Sequence, residues 1–577
     1  MAMALICVGI IRNCRYSHAN YLESPFQPPM VSHSTAHEGL AWATLHLRSK
    51  TERPCATLDT ISVSGFFLSA PCYTEANRMR IPFPERVPPN RVAIFAGALF
   101  AVQRFQGTAL YFSIGCVAFI CIAAFAFNAA GGLTRSSGAY VFFYSLLVVI
   151  VGICYKAYLG EPADSNLRDP QTDILAYVGS ITAMLAAVLL SRRLSRKTGL
   201  MQNLLKESGM YRASIGCVVF GVFGVSIIAL LGEEGAKIGT AFNQINQLLP
   251  LGIIIGVMYE IRHTHGARSI NRPTAFTIIF MFIFFGLFGF SKQGMLLPLL
   301  CWALPVCALR YRLTALQGCS CIFAFFIIFH YLTPYADYGR NFRGETHDIS
   351  DQVALTVRLL EHPEQTRQKY LDSTAGAGGS YYNSSQGFWD RLQFISVDDG
   401  LINVTDHGHV FGLWPVKAVF LNAIPHVIWP NKPDLNLGNN YMHEINGQPL
   451  DEGDTTTGIS FSATGEAYHW AKWVGIFVVA PLLWLLLFVV LDSLIGDIRT
   501  SPWGLLVLAL LSHTAPEGML SGAIAFLTFG VEAVIFCALF ATYVAPFFAI
   551  AVLGPDRRWP APQPSFRHLP HPTREEP

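Results

Sequence analysis

The sequence predicts an all-α polytopic membrane protein with about 10 to 12 transmembrane helices and one large extracytoplasmic helical loop. Three observations support this fold class. Of the 577 residues, 52% are hydrophobic and only 14% are charged, whereas soluble domains are about 25% charged. Apolar runs of membrane-spanning length recur along most of the chain. One long polar stretch, between about Thr333 and Ala471, interrupts them.

Charge and cysteine content exclude several classes of protein. The net charge is +2, and the basic residues form no stripe outside the short loops, which argues against a nucleic-acid partner. The 13 cysteines are scattered and many lie within apolar runs. Because they form no set of CxxC pairs, we expect neither a disulfide framework nor a metal cluster.

The first 91 residues differ from the rest of the chain. They contain no membrane-length span until an apolar run begins at 92, and they show no signal peptide of the usual form. Arg80, Arg86 and Arg91 follow Met79 and precede this run, a pattern typical of the start of a polytopic membrane protein. We therefore expect 1–91 to be an unstructured extension or the product of a misassigned start codon.

Apolar segments long enough to cross a bilayer define the spans, since a spanning helix needs roughly 20 such residues. Two shorter runs, 92–105 and 503–515, are half-helices or extensions of their neighbours. The predicted spans are 108–130, 139–158, 174–190, 213–231, 240–259, 274–290, 295–309, 318–333, 470–491 and 519–548.

Orientation follows from the positive-inside rule. The short loops 191–212, 260–273 and 310–317 are rich in arginine and lysine, and even numbers of predicted spans separate them. The alternating loops 160–173 and 232–239 carry acidic residues instead. This pattern places the long polar loop outside the cytoplasm.

The chain is thus predicted to have four parts after the extension. They are a transmembrane bundle at 92–333, a large extracytoplasmic loop at 334–469, C-terminal transmembrane helices at 470–553 and a disordered cytoplasmic tail at 554–577. Within the loop, we expect an amphipathic helix over 346–371, a flexible stretch over 375–387, and a second helix over 386–397. A re-entrant or surface helix pair is expected over 409–428.

Arginines in the loop are candidates to bind a phosphate. The planar guanidinium donates two parallel hydrogen bonds and keeps its charge. The alternative is that these side chains are solvated or pair with neighbouring acids. Arg391 is favoured because it lies among the aromatic residues Trp389 and Phe394. The candidate arginines are Arg340, Arg343, Arg358, Arg367 and Arg391.

A lysine stands in the predicted extracytoplasmic turn between two spans, in the sequence Ser291-Lys292-Gln293-Gly294. Its position runs against the positive-inside trend. Lys292 is therefore predicted either to bind a lipid pyrophosphate or to extend along the membrane surface.

Transfer of a sugar requires a group that accepts the proton of the attacking hydroxyl. Glu466 and His426 are the candidate bases, and Glu466 shares a helix face with His469, three residues later. Lys432 is a further candidate for the pyrophosphate. The rings of Trp429 and Tyr468 are candidates to stack on sugars, or else belong to an interfacial aromatic belt. No metal site is expected.

Several elements together resemble the bacterial oligosaccharide repeat-unit polymerases of the O-antigen polymerase (Wzy) type. They are the Ser-Lys-Gln turn, an arginine in the outer loop, the element from Ile424 to Pro433, and Ser462 to Tyr468 followed by Trp473-Val474-Gly475. The resemblance covers roughly 92–550. One departure is His426, where the family often has arginine.

The resemblance implies a fold similar to the membrane-embedded GT-C glycosyltransferases and a metal-independent reaction without a cofactor. The implied substrate is an oligosaccharide carried on undecaprenyl pyrophosphate. The product is O-antigen, capsule or exopolysaccharide, and the expected partners are this lipid-linked glycan, membrane lipid and a chain-length regulator. Alternatives are an O-antigen ligase or other lipid-linked glycan transferase, a polysaccharide transporter and a scaffold protein. The large loop and the nearly charge-free spans disfavour transport.

Overall fold

The computed structural model describes residues 78–230, 243–342, 349–374, 381–422, 429 and 460–554. Apart from two three-residue strands, the regular structure of this part of the chain is helical, which confirms the all-α prediction. The helices below belong to one compact unit that begins at Met79. The strands β1 (Arg78–Arg80) and β2 (Arg312–Thr314) pair as a two-stranded sheet.

Seventeen main helices follow in order in the described part of the chain. They are α1 Pro89–Phe105, α2 Leu110–Ala130, α3 Ser136–Leu159, α4 Pro170–Leu194, α5 Met210–Leu230, α6 Leu248–His263, α7 Arg272–Phe288, α8 Lys292–Ala308, α9 Ala315–Arg340, α10 Ile349–Glu361, α11 Pro363–Thr374, α12 Ile395–Asp406, α13 Trp414–Asn422, α14 Ala463–Val474, α15 Ala480–Ile495, α16 Pro502–Thr514 and α17 Gly522–Leu553. Helices α1 to α8 precede the predicted polar loop 334–469, α9 runs into its start, α10 to α13 lie within it, α14 crosses its end, and α15 to α17 follow it.

The protein is a multi-pass membrane protein by the length and hydropathy of its helices. Within the described residues, eight helical segments are long and apolar enough to cross a bilayer. Three shorter apolar helices, α7, α8 and α16, accompany them. At 1.5 Å per residue, the 17 residues of α8 extend about 25 Å, slightly less than the roughly 30 Å hydrocarbon core. The total of 10 to 12 spans remains a prediction, as does the boundary of each predicted domain.

Capping residues set the starts of several helices. At α4, Asp169 accepts the backbone N–H of Thr172 at 3.1 Å, and Pro170 fills the first turn, where its missing N–H costs nothing. Asn271 caps α7 in the same way. A reciprocal capping box between Thr314 and Gln317 begins α9.

One end of the bundle is built from the arginine-rich turns. The backbone N–H groups of Leu200 and Met201 donate to the carbonyls of Ser493 and Leu494 at 3.0 and 2.9 Å. The Trp503 indole donates to the Met201 carbonyl at 2.9 Å. These contacts join the turn after α4 to the last turn of α15 and the first turn of α16.

The other end of the bundle carries the polar loop. The turn between α3 and α4 binds back to the start of α2, where Asp164 accepts the N–H of Ala109 at 3.0 Å. The buried Lys156, at the end of α3, donates to the Tyr381 carbonyl at 2.7 Å, and its ammonium lies over the Tyr381 ring. Tyr381 in turn donates to the carbonyl of Ala163 at 2.6 Å. These contacts fix the start of the second loop segment on α3.

The predicted helix over 346–371 is two helices, α10 and α11, which meet at His362 and Pro363. Proline has no N–H and its ring clashes with the preceding turn, so it ends α10 and starts α11. Residues 387–391 form a short 3-10 helix, and α12 follows it. The second predicted helix therefore begins later, and extends further, than the 386–397 expected.

The predicted span at 470–491 begins with a kink. Every residue from 463 to 470 is buried, and the backbone leaves helical geometry at Ala471 and Lys472. Beyond the kink the chain passes close to the preceding turn. At Gly475 a Cβ atom would lie only 1.7 Å from the Ala467 carbonyl oxygen, so this approach requires glycine.

Candidate substrate site

A strained turn joins α7 to α8 and presents Lys292. Phe290 has a φ of 43°, in the left-handed region that costs a non-glycine residue energy. Its ring is fully buried and packs against Tyr335 at 5.3 Å between centroids. Arg340 donates to the Phe290 carbonyl at 3.1 Å. Packing on α9 thus compensates the strain and holds the turn.

Lys292 begins α8, where Ser291 caps the helix by accepting the Gly294 N–H at 3.2 Å. The Lys292 ammonium lies 2.6 Å from Asp337 of α9. The pKa of Lys292 is lowered to about 8, mainly by burial, with Asp337 opposing the shift and the charges of Arg391 and Arg340 adding to it. The charges of all four residues therefore act at one place.

Tyr370 of α11 connects this group. Its hydroxyl hydrogen-bonds with both Asp337 and Arg391, while burial, as the main cause, raises its pKa to about 12. We define the cation cluster as Lys292, Arg340 and Arg391 together with Asp337 and Tyr370. It contains three positive charges and one negative charge, so an anionic group would be attracted to it.

Aromatic packing positions Arg391 at the end of the 3-10 helix. Trp389 stacks on Tyr155 of α3 with centroids 4.4 Å apart and an interplanar angle of 9°. Asp390 accepts the Gln386 N–H at 2.7 Å, and the Arg391 side chain is exposed. The two cations predicted to bind a pyrophosphate, Lys292 and Arg391, therefore lie together although 98 residues separate them in the chain (391 minus 292, less one).

A largely apolar cavity of about 590 Å³ lies beside the Lys292 turn. Ser291, Gln293 and Gly294 form part of its wall, so the cavity and the cation cluster share the first turn of α8. The remaining wall comes from α7 with three phenylalanines, from Leu297 of α8, from α10, and from Asn246 and Gln247 before α6. Cavities of this volume bind small molecules or lipid chains.

Glu466 lies in the buried helical segment 463–470, whose N-terminus is fixed by Asp398 of α12. Asp398 accepts the Ser462 N–H at 2.9 Å and the Tyr177 hydroxyl at 2.6 Å, and it also hydrogen-bonds with the Ser462 hydroxyl. Burial raises the pKa of Asp398 to about 6, although these hydrogen bonds oppose the shift.

The Glu466 carboxylate lies against the turn between α16 and α17. Its Oε2 accepts the Met519 N–H at 2.7 Å, and the side chain is only 5% exposed. A Cβ atom at Gly518 would come within 2.7 Å of the carboxylate. Glycine is thus required there, both for this approach and for its φ of 69°.

Tyr468 and His469 are fixed by the end of α12. The Tyr468 hydroxyl donates to Asp406 at 2.7 Å, and its ring is 2% exposed. A stacking role for Tyr468 would therefore require this helix to move. His469 Nδ1 lies 2.7 Å from the Thr405 hydroxyl. Lys472, at the kink, lies 3.6 Å from Asp406.

Several predicted site residues cannot be placed. His426, Lys432 and Arg343 lie outside the described residues.

Other predicted residues are placed. Trp429 is exposed, which is compatible with a sugar-stacking role. Arg367 pairs with Glu364 on α11 at 2.8 Å, the ion-pair alternative considered for the loop arginines. Among the residues that the structure describes, no group of three or more His, Cys, Asp and Glu side chains is arranged to hold a metal ion.

Two residues of the cation cluster, Asp337 and Tyr370, were not predicted as site residues, nor was Asp398, which holds the start of the segment that carries Glu466. Asp337 had a signal in the sequence, because it lies one helical turn before Arg340 and so shares its face. Tyr370 and Asp398 had none, since their partners are distant in sequence.

In comparisons with known proteins, no family model, curated protein or solved structure matches the chain.

Proposed function

We propose that this protein is a membrane glycosyltransferase that joins oligosaccharide repeat units carried on undecaprenyl pyrophosphate. The product would be O-antigen, capsule or exopolysaccharide. The main support is the cation cluster beside an apolar cavity. A lipid pyrophosphate combines a strongly anionic head with an apolar chain. The cation cluster and the apolar cavity, which would bind these two parts, meet at the first turn of α8.

The proposed reaction needs no redox partner. A hydroxyl of the acceptor glycan attacks the anomeric carbon of the donor sugar, forming a carbon–oxygen bond. The bond between this carbon and the pyrophosphate oxygen breaks, and undecaprenyl pyrophosphate leaves as an anion. Lys292, Arg340 and Arg391 would stabilise its negative charge as it develops. The acceptor proton passes to a basic side chain.

Glu466 is the proposed base among the described residues. It is held by Met519 and lies beside Gly518, which has no side chain to obstruct the carboxylate. His426 is the alternative base. Lys432 and Arg343 are proposed as further contacts to the pyrophosphate, with Trp429 and Tyr468 as sugar-binding rings, the latter only after a movement of α14 that exposes its buried ring.

We further propose that the site lies on the periplasmic side of a bacterial inner membrane. The main support is the distribution of charge, because the turns at the opposite end of the bundle contain most of the arginines of the short loops.

Substitution of Arg391 tests the proposal. In a strain lacking the chromosomal gene, Arg391→Ala should reduce long-chain glycan on a gel by roughly tenfold or more, since a charge-assisted contact contributes about 1.5–3 kcal/mol. Arg391→Lys should restore only part of it, because the bidentate fork is lost.

Arg367→Ala is the matched control, since Arg367 lies in the same loop but pairs with Glu364 on the surface. It should make normal polymer. Normal polymer from an Arg391→Ala protein present at wild-type levels would contradict the assignment. If the Arg391→Ala strain instead makes long polymer that stays on the lipid and is not passed to its final acceptor, the protein is a ligase.

A further inference from the structure

The cavity beside α8 has a wall made by one face of α7. Met281, Phe284, Phe285 and Phe288 line it, at the i, i+3, i+4 and i+7 positions that share one side of a helix. The π-helical segment Phe282–Phe288 contains the three aromatic residues. Together they give the cavity an aromatic wall that continues up to the strained turn.

The polar part of the cavity lies next to the cation cluster. Gln293 of α8 and Gln352 of α10 line it, and the Lys292 side chain leaves the same turn to reach Asp337. An amphiphile with its chain in the cavity would therefore have its head group near the N-terminus of α8. This end of a helix attracts anions.

We propose that the cavity binds the isoprenoid chain of a polyprenyl pyrophosphate, in the part of the chain nearest the head group. This inference rests on the proposed function and specifies the lipid-binding part of the same site. Charge favours this occupant over an ordinary phospholipid. A pyrophosphate carries more negative charge than the single phosphodiester of a phospholipid, and the cluster holds three cations. A single branched chain also suits one cavity better than two acyl chains do.

Helix α10 covers the cavity. Gln352 donates from Nε2 to the Phe288 carbonyl at 2.6 Å, and Val353 contributes its side chain to the wall. The opposite face of α10 is anchored, because Leu359 is buried with Phe290 and Tyr335, and Leu355 packs against the same cluster. The cover is therefore attached to the turn that carries Lys292.

Val353 allows the cavity to be filled without touching the cation cluster. The proposed change is Val353→Trp, and Val357→Trp is its control. Val357 lies one turn further along α10, is more exposed (49% against 37%), and is not part of the cavity wall. Both variants place a large ring on the same amphipathic helix.

Binding is measured on the full-length protein in lipid nanodiscs with two probes, farnesyl pyrophosphate and inorganic pyrophosphate. The wild type should bind farnesyl pyrophosphate more tightly. Val353→Trp should weaken the binding of farnesyl pyrophosphate by about tenfold, the effect of excluding a few buried carbons. It should leave the affinity for inorganic pyrophosphate unchanged. Val357→Trp should match the wild type for both probes, whereas Arg391→Ala should weaken both.

Equal affinity of the wild type for the two probes would overturn the inference, as would equal effects of the two tryptophan variants. A competition experiment compares excess dioleoyl phosphatidate with excess unlabelled farnesyl pyrophosphate. If both displace labelled farnesyl pyrophosphate equally well, the cavity holds ordinary phospholipid, and the inference is overturned. Failure of the proposed function is separable, because a protein that makes no polymer in cells can still show the predicted difference between the two probes.

Discussion

Lys292 is the residue at which the electrostatics of the site can be measured most easily. Its pKa is lowered to about 8, first by burial and then by Arg391 and Arg340. A lysine loses its charge as the pH rises through its pKa, so its contact with a pyrophosphate is present at pH 7 and lost by pH 9. The affinity of the wild type for farnesyl pyrophosphate should fall by about tenfold over this range.

Lys292→Arg is the control for the titration of the ligand itself, because arginine stays charged throughout. Its affinity should change much less with pH than that of the wild type. Identical pH profiles for the two proteins would show that Lys292 does not contact the ligand.

The proposed base gives a second residue-scale prediction. Glu466→Gln keeps the size of the side chain and leaves an oxygen to accept the Met519 N–H, but it removes the basicity. It should abolish polymer and leave single repeat units on the lipid, with the protein still present in the membrane. Normal polymer from Glu466→Gln, combined with none from His426→Ala, would transfer the role to His426.

At the scale of elements, the kink before α15 should be a point of stored strain. Lys472 has φ 50° and ψ −133°, a conformation that favours glycine. Lys472→Gly should therefore be more stable than Lys472→Ala by about 1 kcal/mol. Both variants lose the ammonium near Asp406, so their difference reports the backbone alone. Thermal unfolding in detergent measures it, and equal midpoints would argue against strain at this position.

The helices also show which features a sequence pattern can predict and which it cannot. Long apolar runs predicted helices such as α2 and α4 because membrane-length hydrophobicity is a local property. The prediction of one helix over 346–371 was wrong, because it followed the apolar periodicity and did not use Pro363, which separates α10 from α11. The kink at Ala471 and Lys472 gave no comparable signal, since neither residue is a glycine or a proline.

At the scale of the whole molecule, the cation cluster required the tertiary structure. Lys292 and Arg391 were each predicted from local context, one as a cation in an unexpected turn and the other as an arginine among aromatic residues. Their proximity depends on the packing of α9 and α11 between them, through Asp337 and Tyr370. Such contacts between distant segments have no periodicity that a single sequence can reveal.

Orientation in the membrane is the whole-molecule property that labelling can test. Ser384 and Lys206 are both exposed, Ser384 in the loop segment bound to α3 and Lys206 in an arginine-rich turn. In intact cells, a membrane-impermeant maleimide should label Ser384→Cys, and should label Lys206→Cys only after permeabilisation. Labelling of the wild type provides the background from the native cysteines. The reverse pattern would place the site in the cytoplasm.

Reconstitution tests the central claim most directly. The purified protein is placed in proteoliposomes with a single substrate, the undecaprenyl-pyrophosphate-linked repeat unit of the bacterium that encodes it. Wild-type protein should convert the single units into a ladder of longer glycans and release one undecaprenyl pyrophosphate for each bond formed, whereas Arg391→Ala should do neither. Single units that remain unchanged with folded wild-type protein, or a ladder that forms equally well with Arg391→Ala, would contradict the account.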